Sequence, residues 1–486
     1  MSSINRRGFL ISCLALGTAT AFCPSVLSAR GANERLRVGV IGLGNRGSLL
    51  LNTLLEMDKI DVVAIADPDV RRLEPWQKRL SNAKACADMR KIFADPDVDA
   101  VVIATCNHWH ALAAILAMEA GKDVYVEKPL ALSFWEGRQV VNAARKYKRV
   151  CQIGTQMRTD RTHAEIKKFL HEEKSLGKIL AVRINRFAPR KGIGLRPTPL
   201  PIPNEIDYNL WLGPAQECPL YRDKLHYDWH WMWNTGNGET GNWGAHLIDD
   251  CRNDILCDRI AFPKRILTAA GRVGYNDAGE TPNTLVTLFD TGEIPIAFGI
   301  SNLPAKNDRR SAGTCFGPKS GYVVWCEGGR YEKFWGGGTA FDLDGKVIKE
   351  FACETERSGV PLHLKNFCDA VYDGTSANLT ADIEVGYHTS AWYNAANAAY
   401  RVGHDYSKKE ALEQVGSRGP FADILAEVET HLDTQGVPMD GRNFKLSSFL
   451  ELDAATERFV GPSSVEANAV FEPHFREPFV VPEVKM

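Results

Sequence analysis

Between Leu36 and Asp67 the chain carries one pattern that leaves few folds open. Leu36 to Ile41 reads as a buried strand, Gly42-Leu43-Gly44-Asn45-Arg46-Gly47 follows, and Ser48 to Met57 has helical spacing. Ile60 to Ala66 is a second apolar strand, ending at Asp67, twenty residues past Gly47. Each part has a physical task. Gly42 permits a tight turn, Gly44 lets backbone approach a pyrophosphate, and Gly47 lets helix pack on strand. Free N–H groups and the dipole at the helix N-terminus favour an anion there. Asp67 can accept hydrogen bonds from an adenosine ribose. The order strand, glycine loop, helix, strand, acid therefore predicts a dinucleotide-binding Rossmann unit, with Asn45 and Arg46 in the loop that meets the cofactor. An acid at the ribose favours NAD over NADP, whose 2′-phosphate would meet it charge to charge.

The pattern continues as a doubly wound parallel sheet. Val98 to Thr105, Asp123 to Val126 and Val150 to Ile153 read as strands, Ala111 to Ala120 and Ser133 to Lys146 as helices. Ligands in such sheets bind beyond the strand carboxyl ends. That places Thr105, Asn107, His108, Trp109, His110, Glu127 and Lys128 at the mouth.

The segments Gly42–Gly47, Asn107-His108-Trp109-His110-Ala111 and Ala120-Gly-Lys-Asp-Val-Tyr-Val-Glu-Lys-Pro129 together resemble the Gfo/Idh/MocA family, which contains glucose–fructose oxidoreductase and inositol dehydrogenases. The resemblance covers roughly residues 36–405, and its most specific element is Glu127-Lys128-Pro129. Gly154-Thr-Gln-Met-Arg158 resembles the entry to the family's second domain. The implied architecture is an N-terminal Rossmann domain plus a C-terminal α+β domain with a large, mostly antiparallel open sheet. The far face of that sheet commonly packs against another subunit, so a homo-oligomer (dimer or tetramer) is expected.

Ahead of the first strand the chain begins differently. Arg6-Arg7-Gly8-Phe9-Leu10 opens an apolar stretch to Phe22, followed by Pro24 and the small-residue run Ser25 to Ala29. Charged start, short apolar middle and small-residue end are the parts of a secretory signal. The apolar run is shorter than the roughly 20 residues needed to cross a bilayer. The arginine pair resembles a twin-arginine signal, which engages export machinery for folded proteins and predicts a periplasmic or otherwise exported protein. The expected division is 1–32 signal peptide, 33–154 Rossmann domain, 155–405 substrate and oligomerisation domain, and 406–486 a C-terminal extension whose Pro-rich end lies as an extended arm. A net charge of −2 gives no electrostatic footprint for nucleic acid, and the 12 cysteines include no Cys-x-x-Cys pair.

Leu180–Arg186, Thr284–Phe289, Pro295–Gly299 and Gly321–Cys326 read as strands of an α+β domain, and 366–402 returns to helical spacing. Between Trp211 and Trp243 lie five of the eleven tryptophans, among His226, Asp228, Trp229, His230, Glu239 and Asn242. Aromatic faces beside hydrogen-bonding groups suit a carbohydrate or polyol, and equally a packed corner. His226 and His230 would share a helix face, but the glycines and Trp-x-Trp alternation argue against a helix, and no metal is expected. Inositol-dehydrogenase-like members carry an Asp four residues before a His, with the lysine of Glu-Lys-Pro completing the site. Here His246 matches the acid/base and Lys128 the polarising lysine, while Asn242 replaces the Asp. Arg158, Trp229, Asn242 and Asp249 are expected to bind substrate.

These readings predict an exported NAD-dependent oxidoreductase moving hydride between a sugar or polyol carbon and a tightly held cofactor. The resemblance implies a second reading, an NAD-dependent glycoside hydrolase using transient sugar oxidation; a third, from outside the enzymes, is a non-catalytic NAD-bound sugar sensor.

Overall fold

Apolar runs with turn residues between them build the first half of the protein as a six-stranded sheet. The structure is a computed structural model that describes residues 35–335, 337–353, 359–416 and 419–486; the expected signal peptide lies outside them. Strands β1 (Leu36–Ile41), β2 (Ile60–Ala66), β3 (Lys84–Cys86), β4 (Ala100–Ile103), β5 (Asp123–Val126) and β6 (Cys151–Ile153) lie in the order β3-β2-β1-β4-β5-β6. Every neighbouring pair is parallel. All four residues of β4 are buried, as a sheet covered on both faces requires. Strand order reverses between β1 and β4, and a crevice opens at their carboxyl ends.

The helices fall within a few residues of the sequence reading: Asn45–Leu55, Asn107–Glu119 and Phe134–Lys146. One helix, Val70–Arg79, was not legible in the pattern. Only Leu73 of it is buried and Pro75 interrupts it, so its apolar periodicity is weak. Asp69 caps it by accepting from the Arg71 N–H.

The second sheet is built from β7 (Ile179–Phe187), β8 (Arg265–Gly271), β9 (Thr284–Asp290) and β10 (Pro295–Ser301), while β11 (Pro304–Ala305) and β12 (Asp308–Ala312) form a small ribbon of their own. It continues through β13 (Ser320–Cys326), β14 (Gly329–Phe334), β15 (Gly337–Phe341) and β16 (Val347–Ala352). Short strands β17 (His404–Asp405), β18 (Lys445–Leu446), β19 (Leu450–Asp453) and β20 (Arg458–Val460) complete twelve, with the main order β16-β15-β14-β13-β7-β10-β9-β8-β18-β17. Only β7 and β10 pair in parallel; the other pairs are antiparallel.

Alternation along β10 shows how the sheet is used. Ile296, Phe298 and Ile300 face a core shared with the Rossmann domain, filled by the helices Ala245–Asp254 and Ile383–Arg401. Ala297 and Gly299 face the opposite way, toward the helix Pro420–Thr434. That helix lies on β7, β9 and β10 and buries Ile424, Leu425, Val428 and Leu432. The extension is thus more than an extended arm. Part of the far face that the family resemblance assigns to a second subunit is covered by the chain's own helix. Only the last residues run extended: Phe479, Val481 and Val484 are buried, and the Val484 N–H donates to Gln139 on the Rossmann helix Phe134–Lys146 at 2.7 Å.

The contact at Gly299 is tight enough to test. A Cβ there would stand 2.7 Å from Ile424 Cγ2. Ile424 is fully buried, so Ile424→Ala is expected to cost about 2–5 kcal/mol of stability, the usual range for emptying a buried aliphatic site. Denaturant unfolding checks it, and a loss below about 0.5 kcal/mol would mean that the helix does not hold this face.

Candidate active site

The glycine loop occupies the crevice as its residue types require. Gly42 has φ of 84°, and a Cβ on it would stand 2.5 Å from the Ala104 carbonyl oxygen. A Cβ on Gly47 would lie 1.7 Å from the Gly42 oxygen, which is how closely helix and turn meet. At Gly44, which caps the helix Asn45–Leu55, the three atoms nearest a Cβ belong to the Arg72 guanidinium, with Nη1 at 2.9 Å. The loop thus leaves a cradle at a helix N-terminus with a cation across it, which fits a pyrophosphate. Asp67 lines the same cleft, but both its oxygens have backbone partners: Oδ2 accepts from the Leu43 N–H at 2.7 Å and Oδ1 from the Asp69 N–H at 2.9 Å. Burial pushes its carboxyl above the ordinary range, against those two bonds. Asp67 therefore holds the loop's shape, and only its remaining lone pairs can meet a ribose.

The other cofactor residues divide by direction. Asn45, Thr105, Asn107, Trp109 and His110 line the cleft, which encloses about 350 Å³. The Trp109 indole N–H donates to the Leu210 and Trp211 carbonyls, and His110 stands between the carbonyls of Pro129 (2.7 Å) and Thr105 (3.1 Å). His108 turns away: its Nε2 meets the Trp211 carbonyl at 3.1 Å, and it borders a separate cavity. Arg46 and Glu127 pair with each other, Nε to Oε1 at 2.6 Å, and Glu127 Oε2 has no partner among the described residues. That buried acceptor suits a hydroxyl of a bound nucleotide.

At the far end of the cleft the two domains meet. Lys128, just past β5, donates from Nζ to the Asn242 backbone carbonyl at 2.6 Å. Asn242 lies in a wide turn, Thr240–Gly244, that runs into the helix Ala245–Asp254, so His246 follows one turn later. His246 packs edge-on against Trp243 and Trp335, with ring centroids 6.0 and 5.8 Å away. Burial, then the charges of Lys128 and Arg46, hold its imidazole well below the ordinary histidine range. Burial also pushes Lys128 down to about 8, opposed by Glu127. The site thus offers a neutral imidazole and an ammonium that titrates within reach of physiological pH. The Asn242 amide donates to Glu239 Oε2 at 3.2 Å rather than to His246, so no relay runs through it.

Two expected substrate ligands lie elsewhere. Arg158 and Asp249 come together, Nε to Oδ2 at 2.6 Å and Nη2 to Oδ1 at 3.0 Å, with Asp258 on the other edge of the guanidinium at 2.7 Å. Both are buried and neither lines the cleft. A buried guanidinium whose two edges are filled by carboxylates has nothing left for a ligand. Trp229 does line the cleft, stacked on His230 at 3.7 Å, while His226 bonds Asp69 at 2.8 Å, so the two histidines do not form a ligand pair. Among the described residues no cluster of three or more His, Cys, Asp or Glu could hold a metal ion. Sequence reading missed Trp335, which carries no motif and which a hairpin between β14 and β15 brings onto His246.

Residues 36–155 match the family described as the Gfo/Idh/MocA oxidoreductases, NAD-binding Rossmann fold, and residues 165–290 match its C-terminal alpha/beta domain. Together they span just over half of the chain. The chain belongs to the Gfo/Idh/MocA family. Its N-terminal domain is accordingly an NAD-binding Rossmann domain. It is 30% identical over 154 residues to myo-inositol 2-dehydrogenase of Thermotoga maritima, covering 32% of this chain and 46% of that one. It is 32% identical over 136 residues to scyllo-inositol 2-dehydrogenase (NAD(+)) of Bacillus subtilis, covering 28% and 40%. The matches thus span less than half of these relatives. In fold it is similar to the WlbA dehydrogenase of Bordetella pertussis, solved with NADH and UDP-GlcNAcA, at a TM-score of 0.55 and 17% identity over 74% of this chain and 94% of that one.

The loop geometry separates two glycines. Gly47→Ala puts a methyl into backbone and is expected to abolish folded protein. Gly44→Ala meets only the end of Arg72, so it should melt near wild type yet bind NAD at least tenfold more weakly, about 1.4 kcal/mol. Thermal melts with NAD titration check both; unchanged NAD affinity in Gly44→Ala would move the pyrophosphate away from this loop.

Proposed function

We propose that this protein is an exported, NAD-dependent oxidoreductase acting on a CH–OH carbon of a sugar or polyol. The observation that carries the reading is the meeting, in one cleft, of the dinucleotide loop with Lys128 and His246 from opposite domains. Oxidising a carbinol removes a hydride, for which NAD is the acceptor, and a proton, for which the protein must provide. The Lys128 ammonium polarises the reacting hydroxyl and stabilises negative charge developing on its oxygen. His246, uncharged, takes the proton. Trp243 and Trp229 line the cleft and supply apolar faces for the C–H surface of a sugar ring, while Trp335 packs on His246 and Trp243. The inositol dehydrogenases among its relatives support a cyclic polyol or sugar. Free NAD is scarce outside the cytoplasm, so we infer that the cofactor is held through many turnovers. With the far face of the sheet partly covered, a dimer or tetramer would form through other surfaces.

A second reading has one supporting observation. The chain is 31% identical over 168 residues to a glycosyl hydrolase family 109 protein of Shewanella pealeana, covering 31% of this chain and 37% of that one. Release of the aryl group from aryl glycosides without net NADH formation would favour redox-assisted cleavage.

Three measurements test the main reading. Lys128→Met is expected to lower kcat about 10²–10³-fold and His246→Ala about 10²–10⁴-fold, both still carrying NAD. If both cycle the bound cofactor at wild-type rate, the catalytic assignment fails. Because Lys128 must be protonated to polarise the hydroxyl and its pKa is about 8, kcat/KM should fall as pH rises through about 8. That limb should vanish in Lys128→Met; its survival there would assign it to another group. Export predicts that replacing Arg6 and Arg7 by Lys leaves full-length protein in the cytoplasm. Mature protein still found beyond the inner membrane would remove the twin-arginine route.

A further inference from the structure

Directly behind the substrate end of the cleft, against the lining residues Trp243 and Tyr227, lies a cluster with more positive charge than it neutralises. Glu239 is fully buried and is flanked by two guanidinium groups: Arg186 Nε lies 2.9 Å from its Oε1 and Arg190 Nε 2.7 Å from its Oε2. Arg186 also stacks on Trp243, its guanidinium carbon 4.1 Å from the ring centroid, and Arg190 donates to the Tyr227 hydroxyl at 3.2 Å. Trp243 and Tyr227 both line the cleft. With Lys128 these make three cations against one carboxylate.

Other acids nearby do not balance the excess. Glu127 is paired with Arg46. Asp228, although next to Tyr227, faces Lys224 and Arg222. The dinucleotide's phosphates belong at the opposite end, with the loop amides and Arg72. Arg186 and Arg190 each have one guanidinium nitrogen, Nη2, with no hydrogen-bond partner among the described residues. The Arg186 side chain is only 9% exposed and that of Arg190 17%, yet neither Nη2 is sealed from solvent, so both donors remain within reach of a ligand. Two guanidinium groups that share one carboxylate leave positive charge in excess, and such an excess beside a cleft concentrates ligands of the opposite sign.

We propose that the substrate is an acidic sugar, carrying a carboxylate or sulfate that binds against Arg186 and Arg190 while its reacting hydroxyl meets Lys128 and His246. The proposal rests on the oxidoreductase reading and narrows its substrate class. The planar fork of an arginine suits such an oxyanion, which would take the unpartnered Nη2 donors. Trp243, lying under the Arg186 guanidinium, would then face the ring of the same sugar.

The test uses matched pairs: galacturonate with galactose, glucuronate with glucose, and galactose 6-sulfate with galactose, each scored by cycling of the bound cofactor. An acidic member should exceed its neutral partner by at least tenfold in kcat/KM, and carboxylate or sulfate is identified by which pair shows it. Raising ionic strength should increase KM for the acid and leave the neutral sugar's KM unaltered. In Arg190→Gln the ratio of acid to neutral kcat/KM should fall at least tenfold, and Arg190→Lys should restore part of it. Neutral sugars turned over as well as acidic ones would overturn this inference and leave the oxidoreductase reading standing. Cofactor cycling with no sugar of either kind would overturn both. The salt dependence needs no variant, so a misfolded Arg190→Gln does not rescue the proposal.

Discussion

The charge of Arg158, buried between Asp249 and Asp258, fixes the relation between the two halves of this protein. Arg158 stands just past β6 at the carboxyl edge of the Rossmann sheet. Asp249 lies on the helix that carries His246, three residues further on. Removing Arg158 would leave the buried Asp249 carboxylate without its cation, a cost of about 3–5 kcal/mol, so the pair ties the helix to the edge of the sheet. A second pair acts the same way lower down: His163 meets Asp254 at 2.6 Å, and the Tyr322 hydroxyl donates to the same carboxylate. Held at Asp249 and Asp254, the helix delivers its first turn to the cleft, where Lys128 grips the Asn242 carbonyl. The position of His246 in the cleft thus depends on charged residues that do not line it.

That arrangement also sets the protonation states. His246 has no carboxylate partner; it is packed among indoles with Lys128 and Arg46 nearby, so burial and like charge both disfavour its imidazolium. Lys128 is desolvated too, yet Glu127 beside it keeps its ammonium accessible. Two groups that would otherwise titrate about four units apart keep distinct roles, one donating and one accepting. Glu239 supports the same ammonium more weakly, and Arg190 opposes it.

The second sheet shows a different economy. Its inner face is continuous with the Rossmann core, and its outer face over β7, β9 and β10 is closed by the helix Pro420–Thr434. Glycine at 299 allows helix and strand to approach at a distance no larger side chain would permit. Arg183, buried under the helix, pairs with Glu427 on it, adding an ionic clasp to the apolar contact.

The Rossmann half was legible because its signals are local. Gly42, Gly44 and Gly47 answer backbone constraints within one turn, and Asp67 follows at a distance set by one helix and one strand. Lys128 and His246 were reached through motif resemblance, and both line the cleft, because a motif preserves short-range geometry around a reacting group. Arg158 and Asp249 show the limit. As isolated polar residues near a site they read as substrate ligands, whereas the fold joins them across 91 residues and buries them. Trp335 and the Arg186–Glu239–Arg190 cluster carry no local signal at all, since they become neighbours only when β7, the hairpin after β14 and the Trp-rich loop converge. The C-terminal helix was hidden for a related reason: its apolar face is explained only by the sheet it covers. By itself the sequence determined the dinucleotide loop and the parallel sheet, because those depend on contacts a few residues long, and the resemblance of its motifs pointed to Lys128 and His246 as cleft residues. Which charges would be consumed within the core and which left to meet a ligand was decided only by tertiary structure, because charge compensation is a property of neighbours in space.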